Sequence, residues 1–307
     1  MTFQWRWFGA AMAGVAGVAL TYVTSCYDFA YSPGDGDGSL LDVGPGDDGQ
    51  SQIDGGVDSG PNPCPSTKGP SMVQAHGLGP DAGKFCIDST EVTREQYAAF
   101  LATNPSSSGQ PKACAWNSSF VPREDTWPDG GTRTGNHPVT DVDWCDAYAF
   151  CKWAGKRLCG DIRGGAHAIG NANESPDADT SQWRLACTHA EDSQHQAPDN
   201  DFPYGGSYNS RACNGEDQGV KSTVPVASLP DCVGGFPGLY DMSGNANEWE
   251  DSCAPNDKDA GPEADPCICR GGSYVQAIGK MHCADPFNCR RDGKNTGQDV
   301  GFRCCGK

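Results

Sequence analysis

Residues 238–249 read Gly-Leu-Tyr-Asp-Met-Ser-Gly-Asn-Ala-Asn-Glu-Trp. Glycine, asparagine and aspartate interrupt the apolar residues here, which is the punctuation of a turn-rich loop. The same punctuation breaks nearly every apolar run outward from this stretch. Two short helices escape it. Thr93-Arg94-Glu95-Gln96 forms a capping box, Thr93 accepting from the first turn and Gln96 reaching back. Tyr97, Phe100 and Leu101 follow at helical spacing, which predicts a helix over 94–102. Trp144, Ala147, Tyr148 and Cys151 stand at i, i+3, i+4 and i+7, which predicts a second over 143–154, stopped by Gly155. Short strands are expected at 84–88, 271–275 and 300–304. The expected class is α+β, irregular, with few short helices and strands, and disulfide-rich.

The 307 residues include 22 Lys+Arg against 40 Asp+Glu, a net charge of −18, and 17 Cys. Such an acidic chain lacks the basic face that phosphate recognition needs, which excludes nucleic acid as a partner. So many cysteines without a metal-binding pattern point to an oxidising compartment. The N-terminus agrees. Arg6 precedes an apolar run from Phe8 to Val23, shorter than the roughly 20 residues of a membrane span and typical of a signal peptide. It ends in Val23-Thr24-Ser25-Cys26, which resembles a bacterial lipobox. Residues 1–25 are therefore expected to be a lipoprotein signal peptide, with Cys26 carrying membrane lipid. Lipidation of Cys26 leaves an even number of cysteines for bridging. Tyr27 stands where an aspartate would favour inner-membrane retention, so an outer-membrane or cell-surface position is expected, with the periplasm as alternative. Residues 26–63 are rich in Asp and Gly and hold no Lys or Arg. They cannot bury enough apolar area to offset ordering entropy, so a disordered tether is expected. Residues 64–307 form one domain.

Within that domain five segments carry a resemblance, in order: FCIDSTEVTREQYAAF (85–100), HPVTDVDWCDAYAFCKWAGKRL (137–158), FPYG (202–205), FPGLYDMSGNANEW (236–249), and RGGSY (270–274) with Gly301-Phe302-Arg303. Together they resemble the formylglycine-generating enzyme, or sulfatase-modifying factor, family. The resemblance covers about residues 70–305 and implies a variant of the C-type-lectin-like fold. It also implies structural calcium. One ligand set falls on Asp241, Gly244, Ala246 and Glu248, carboxylate oxygens alternating with backbone carbonyls, as an oxygen-seeking cation prefers. A second falls on Asn214, Gly215 and Val220, its expected aspartate position occupied by Gln218. Two disulfides are implied, Cys151 with Cys304 and Cys187 with Cys289. Cys267, Cys269 and Cys305, like Cys304, are expected to form structural bridges rather than metal or redox sites, the partners of the first three left open.

The family's best-known activity oxidises a sulfatase cysteine to formylglycine, with a copper ion held by two thiolates five residues apart. Copper(I) is soft and takes thiolate readily. Counted forward from Arg270–Tyr274, those positions fall on Gln276 and Met281. Counted backward from Cys289, Cys283 lies one residue from the second position, the weak catalytic candidate. The first copper cysteine is absent under either count. Met281-His282-Cys283 remains a sequence cluster of soft ligands. The histidines make no HExxH or i, i+4 pair, and no phosphate-cradling or G-x-S-x-G motif appears. Two function classes follow: a membrane-anchored binding or scaffold module for a protein, peptide or glycan, and an oxidase of the formylglycine-generating type.

Overall fold

The computed structural model describes residues 63–77, 83–123, 127, 134–171, 174, 176, 180–188, 201–256, 260–294 and 299–307. The signal peptide at 1–25, Cys26 and all but the last residue of the tether at 26–63 lie outside the described residues. Both expected helices form. Helix α1 (Arg94–Leu101) is capped by Thr93 and Gln96 in the expected box. Helix α2 (Trp144–Trp153) starts from a second capping box, Asp143 accepting from Asp146 N–H while the Asp146 side chain accepts from Asp143 N–H. A third helix, α3 (Gln182–Thr188), is new. Ser181 Oγ accepts from Arg184 N–H at its start, and buried Trp183, Ala186 and Cys187 share its inner side.

The strands make two four-stranded sheets. In the first, β1 (Met72–His76), β2 (Lys84–Asp88), β8 (Cys304–Gly306) and β3 (Arg157–Leu158) lie in that order, all antiparallel. In the second the order is β6 (Phe287–Arg290), β5 (Pro266–Arg270), β4 (Asn247–Cys253) and β7 (Val300–Gly301), with β4 and β7 parallel. The expected strand at 300–304 is thus two strands in different sheets. The chain crosses between them at Phe302 and Arg303, each fully buried in a different core. The expected strand at 271–275 is a turn; β5 ends one residue earlier, because Gly271 and Gly272 take φ of +86° and +71°.

Under α1 and α2 the rings of Tyr97, Phe100, Phe150, Trp153 and Phe302 pack edge to face and stacked, 5.4–6.2 Å apart. Tyr97 Oη donates to Phe120 O at 2.7 Å, so its polar end is satisfied inside the cluster. A second cluster joins Phe85, Ile87, Trp183, Leu185, Phe236 and Leu239.

Every cysteine from Cys64 to Cys305 is bridged. Cys151 joins Cys304, and Cys159 joins the adjacent Cys305. Cys187 joins Cys283 rather than Cys289, which pairs with Cys269 across the β5–β6 ladder. The correction has a simple cause. Cys289 lies within β6, directly beside β5, whereas Cys283 lies in the loop before it, against α3.

Candidate functional site

The loop after β5 is where the family's chemistry would reside. Arg270 closes that strand fully buried, its Nε on Glu250 Oε2 at 2.7 Å and its Nη2 on Pro176 O at 2.9 Å. Glycine is required next. A Cβ at Gly272 would stand 2.6 Å from Lys280 O, so the two ends of the loop touch.

Gln276 and Met281, which the forward count puts at the two copper positions, do unrelated things. Gln276 Oε1 accepts from Ser273 N–H at 2.8 Å and from Ser273 Oγ, pinning the turn. Met281 is 1% exposed. Its Cε would lie 2.9 Å from a Cβ at either Gly215 or Gly244, and its Sδ 3.1 Å from one at Gly272. Three glycines thus shape the space this side chain fills. His282 meets the Phe202 ring edge-on at 4.6 Å and faces Asp285 at 3.5 Å. Cys283 is bonded to Cys187. The sequence cluster Met281-His282-Cys283 therefore does not converge, and no thiol is free at either copper position. The residues present do not fit a thiolate copper site.

Beside this loop lies a charged core the sequence reading missed. Arg303 Nε and Nη2 each reach the Glu248 carboxylate at 2.7 Å, and Trp183 Nε1 donates to its Oε2 at 2.7 Å. Arg303 Nη1 and Nη2 also bind the carbonyls of Asp88 and Tyr240. Glu91, Asp241, Glu248 and Arg303 are all buried together. Burial chiefly raises the Asp241 carboxyl to about 6, opposed by the Ala227 N–H and Arg303 and reinforced by Glu248. Burial, then repulsion from Asp241 and Glu248, holds Glu91 well above the usual carboxylate range. The one sequence signal was two arginines, Arg270 and Arg303, set among cysteine, glycine and phenylalanine.

The calcium expectations divide on this geometry. Three N–H groups already occupy Glu248, which leaves the set Asp241, Gly244, Ala246 and Glu248 with one carboxylate largely committed elsewhere. In the second set, Asn214 is 1% exposed and its Nδ2 donates to Ser222 O and Asn245 Oδ1. Its Oδ1 is buried without a hydrogen-bond partner. Gly215 adjoins it, whereas Val220 is 48% exposed and Gln218 Nε2 turns to Arg211 O. Among the described residues, no group of three His, Cys, Asp or Glu is arranged to hold a metal ion.

Comparison with known proteins bears on the domain as a whole. A family model, the sulfatase-modifying factor enzyme 1-like domain, matches residues 80–307. The formylglycine-generating enzyme of Bos taurus is 27% identical over 197 residues, covering 55% of this chain and 44% of that protein. That of Streptomyces coelicolor is 25% identical over 272 residues, covering 72% of this chain and 77% of the relative. The matched region thus spans less than half the length of the mammalian relative. Among solved structures, CarF is similar with a TM-score of 0.47 and 23% identity over 78% of this chain and 97% of that one. PvdO from Pseudomonas aeruginosa gives a TM-score of 0.46 and 19% identity over 79% and 90%. With more than half of its length matched, the chain belongs to the sulfatase-modifying factor enzyme 1-like domain family.

Proposed function

We propose that this protein is a membrane-anchored, exported binding or scaffold module that keeps the family's domain and lacks its copper chemistry. One observation carries the reading: the forward count puts Gln276 and Met281 at the copper positions, and Cys283, the cysteine nearest the second position by the backward count, is consumed by Cys187. A thiolate mechanism needs sulfur free to ionise, and a disulfide offers none. The oxidase alternative gains no specific support from this geometry. The decisive experiment is thiol counting on the unreduced, unfolded protein, with copper(I) titration and a cysteine-bearing sulfatase peptide as substrate. No titratable thiol, no tight copper and no aldehyde product are expected. Two thiols with tight copper(I) binding would restore the oxidase reading.

Export is supported by the eight bridges, which belong to an oxidising compartment. Anchoring rests on Cys26, and Cys26→Ser should release the protein from membranes; unchanged partitioning refutes it. Where calcium binds, the Asn214 Oδ1 and the Gly215 carbonyl are the better-supported holders, with Asp241, Gly244, Ala246 and Glu248 the second choice. The ion would supply rigidity to the 214–245 loops. Calcium should then raise the melting temperature of the native protein and not of Asn214→Leu. A response that survives there and vanishes in Asp241→Asn moves the site to the other set. No calcium response in the native protein removes the proposal.

A further inference from the structure

The proposed copper-free scaffold leaves its ligand unnamed, and a cavity away from the loops at 241–249 and 270–283 supplies a chemistry. It lies between the C-terminal ends of α1 and α2 and the loop at 105–111, with a volume of about 390 Å³. That is within the size range of small-molecule sites, roughly 300–1,000 Å³. Its floor is aromatic: Phe100, Phe120, Tyr148 and Trp153. The two partly exposed rings are held rigidly. Tyr148 stacks on Trp144 at 5.2 Å, and Trp153 packs on Phe100 and Phe150 at 5.6 and 5.5 Å with Lys68 Nζ 4.3 Å from its ring centre. A second hollow of about 310 Å³ adjoins it, sharing Pro105 and Phe120 as a dividing wall.

The polar lining is distinctive. Thr103, Ser106, Ser108 and Gln110 line the first hollow, and Asn104, Ser107, Ser118 and Ser119 the second. Lys152 is the one charged lining residue of either hollow. Gln110 donates its Nε2 to the carbonyls of Ser107 and Asn117, which fixes which end of the amide is which. Its Oε1 is buried with no hydrogen-bond partner. A buried acceptor left unmade costs stability, a cost the loop carries for the two bonds made by the same amide.

We propose that this paired hollow binds an oligosaccharide that carries a carboxylate. Sugar rings present apolar C–H faces to aromatic rings and a dense set of hydroxyls to serine, threonine and amide side chains. Gln110, by holding the carbonyls of Ser107 and Asn117, fixes the loop that carries the serine hydroxyls. Lys152 gives the acidic sugar its counter-charge. Two adjoining hollows of similar size fit successive rings. Neither helix nor loop offers an unpaired strand edge here, which disfavours an extended peptide.

The test is titration of the purified full-length protein with tetragalacturonate, maltotetraose and a proline-rich decapeptide, read by calorimetry and tryptophan fluorescence. Tetragalacturonate should bind best and quench fluorescence, with affinity falling as salt rises. Lys152→Gln should weaken it about fivefold while leaving maltotetraose unchanged, and Gln110→Leu should weaken both by about fivefold. Trp153→Ala should abolish binding; because Trp153 also packs on the core, Tyr148→Ala serves as the second variant, with melting curves for both. Three results overturn the proposal: no saccharide binding at millimolar concentration, binding indifferent to both Lys152→Gln and Gln110→Leu, or binding of the decapeptide alone. The titration involves neither copper nor membrane, so its failure is separable from that of the copper-free, anchored reading.

Discussion

Two buried regions of this domain are built from opposite materials. Beneath α1 and α2, rings meet rings, and the main interior polar contact of Tyr97 is one hydroxyl on one carbonyl. Around β4 and β8, Arg303 meets Glu248 with Asp241 and Glu91 beside it, Arg270 meets Glu250, and Lys156 Nζ lies 2.5 Å from Asp88. The first region gains stability by apolar burial, which is non-directional and tolerates modest repacking. The second gains little net energy from its charges, but loses heavily if any one partner is removed. Geometry in the charged region is therefore the stricter of the two, and it is the region that holds the loops at 241–249 and 270–283 in place.

The largest test removes a cation. Arg303→Met should destabilise by about 3–5 kcal/mol, since it strands buried carboxylates without a counter-charge. Urea unfolding measures it, and a loss below that of any aromatic-core hydroxyl deletion would invert the contrast. Next in size is Tyr97→Phe, which leaves the buried Phe120 carbonyl without its donor and should cost about 1–3 kcal/mol. A cost near zero would mean that the aromatic region has no polar stake at all. The smallest effect is a pH slope. Burial raises Asp88 and Asp251 each to about 6 despite nearby Lys156 and Arg157. Between the unfolded value of 3.8 and about 6, the folded protein holds protons that the unfolded chain has released. Stability from these groups is thus fully present below that window and lost as pH rises through about 6. The melting temperature should be higher at pH 5 than at pH 7.5, and Asp251→Asn should flatten the difference; a slope of opposite sign would show these carboxyls are not raised.

The same contrast decides what could be read from residues alone. α1 and α2 were legible because caps and apolar spacing act within one or two turns. The copper positions were legible only to within a few residues, because the counts forward from Arg270–Tyr274 and backward from Cys289 disagree. The partner of Cys187 was not: Cys283 and Cys289 are six residues apart, and only the fold shows Cys289 on β6 beside β5, bonded to Cys269 while its register partner Cys267 bonds Cys253. The charged core was invisible for a related reason. Arg303 and Glu248 are 55 residues apart, and Lys156 and Asp88 68 apart, with no period linking them. The helix at α3 did carry a signal, Ser181 before Trp183 and Ala186, that a masking proline-, glycine- and aspartate-rich context obscured.

Cys304 and Cys305 sit side by side on β8 and reach back 153 and 146 residues to Cys151 and Cys159. Each closure removes about 5 kcal/mol of chain entropy from the unfolded ensemble in the loop-closure model. Neither can close until the last strand arrives. Until then Cys151 and Cys159 are open thiols that an oxidant could mispair. The domain is locked from its far end, like a drawstring bag, so a cut placed just before Cys304 would forfeit both ties at once.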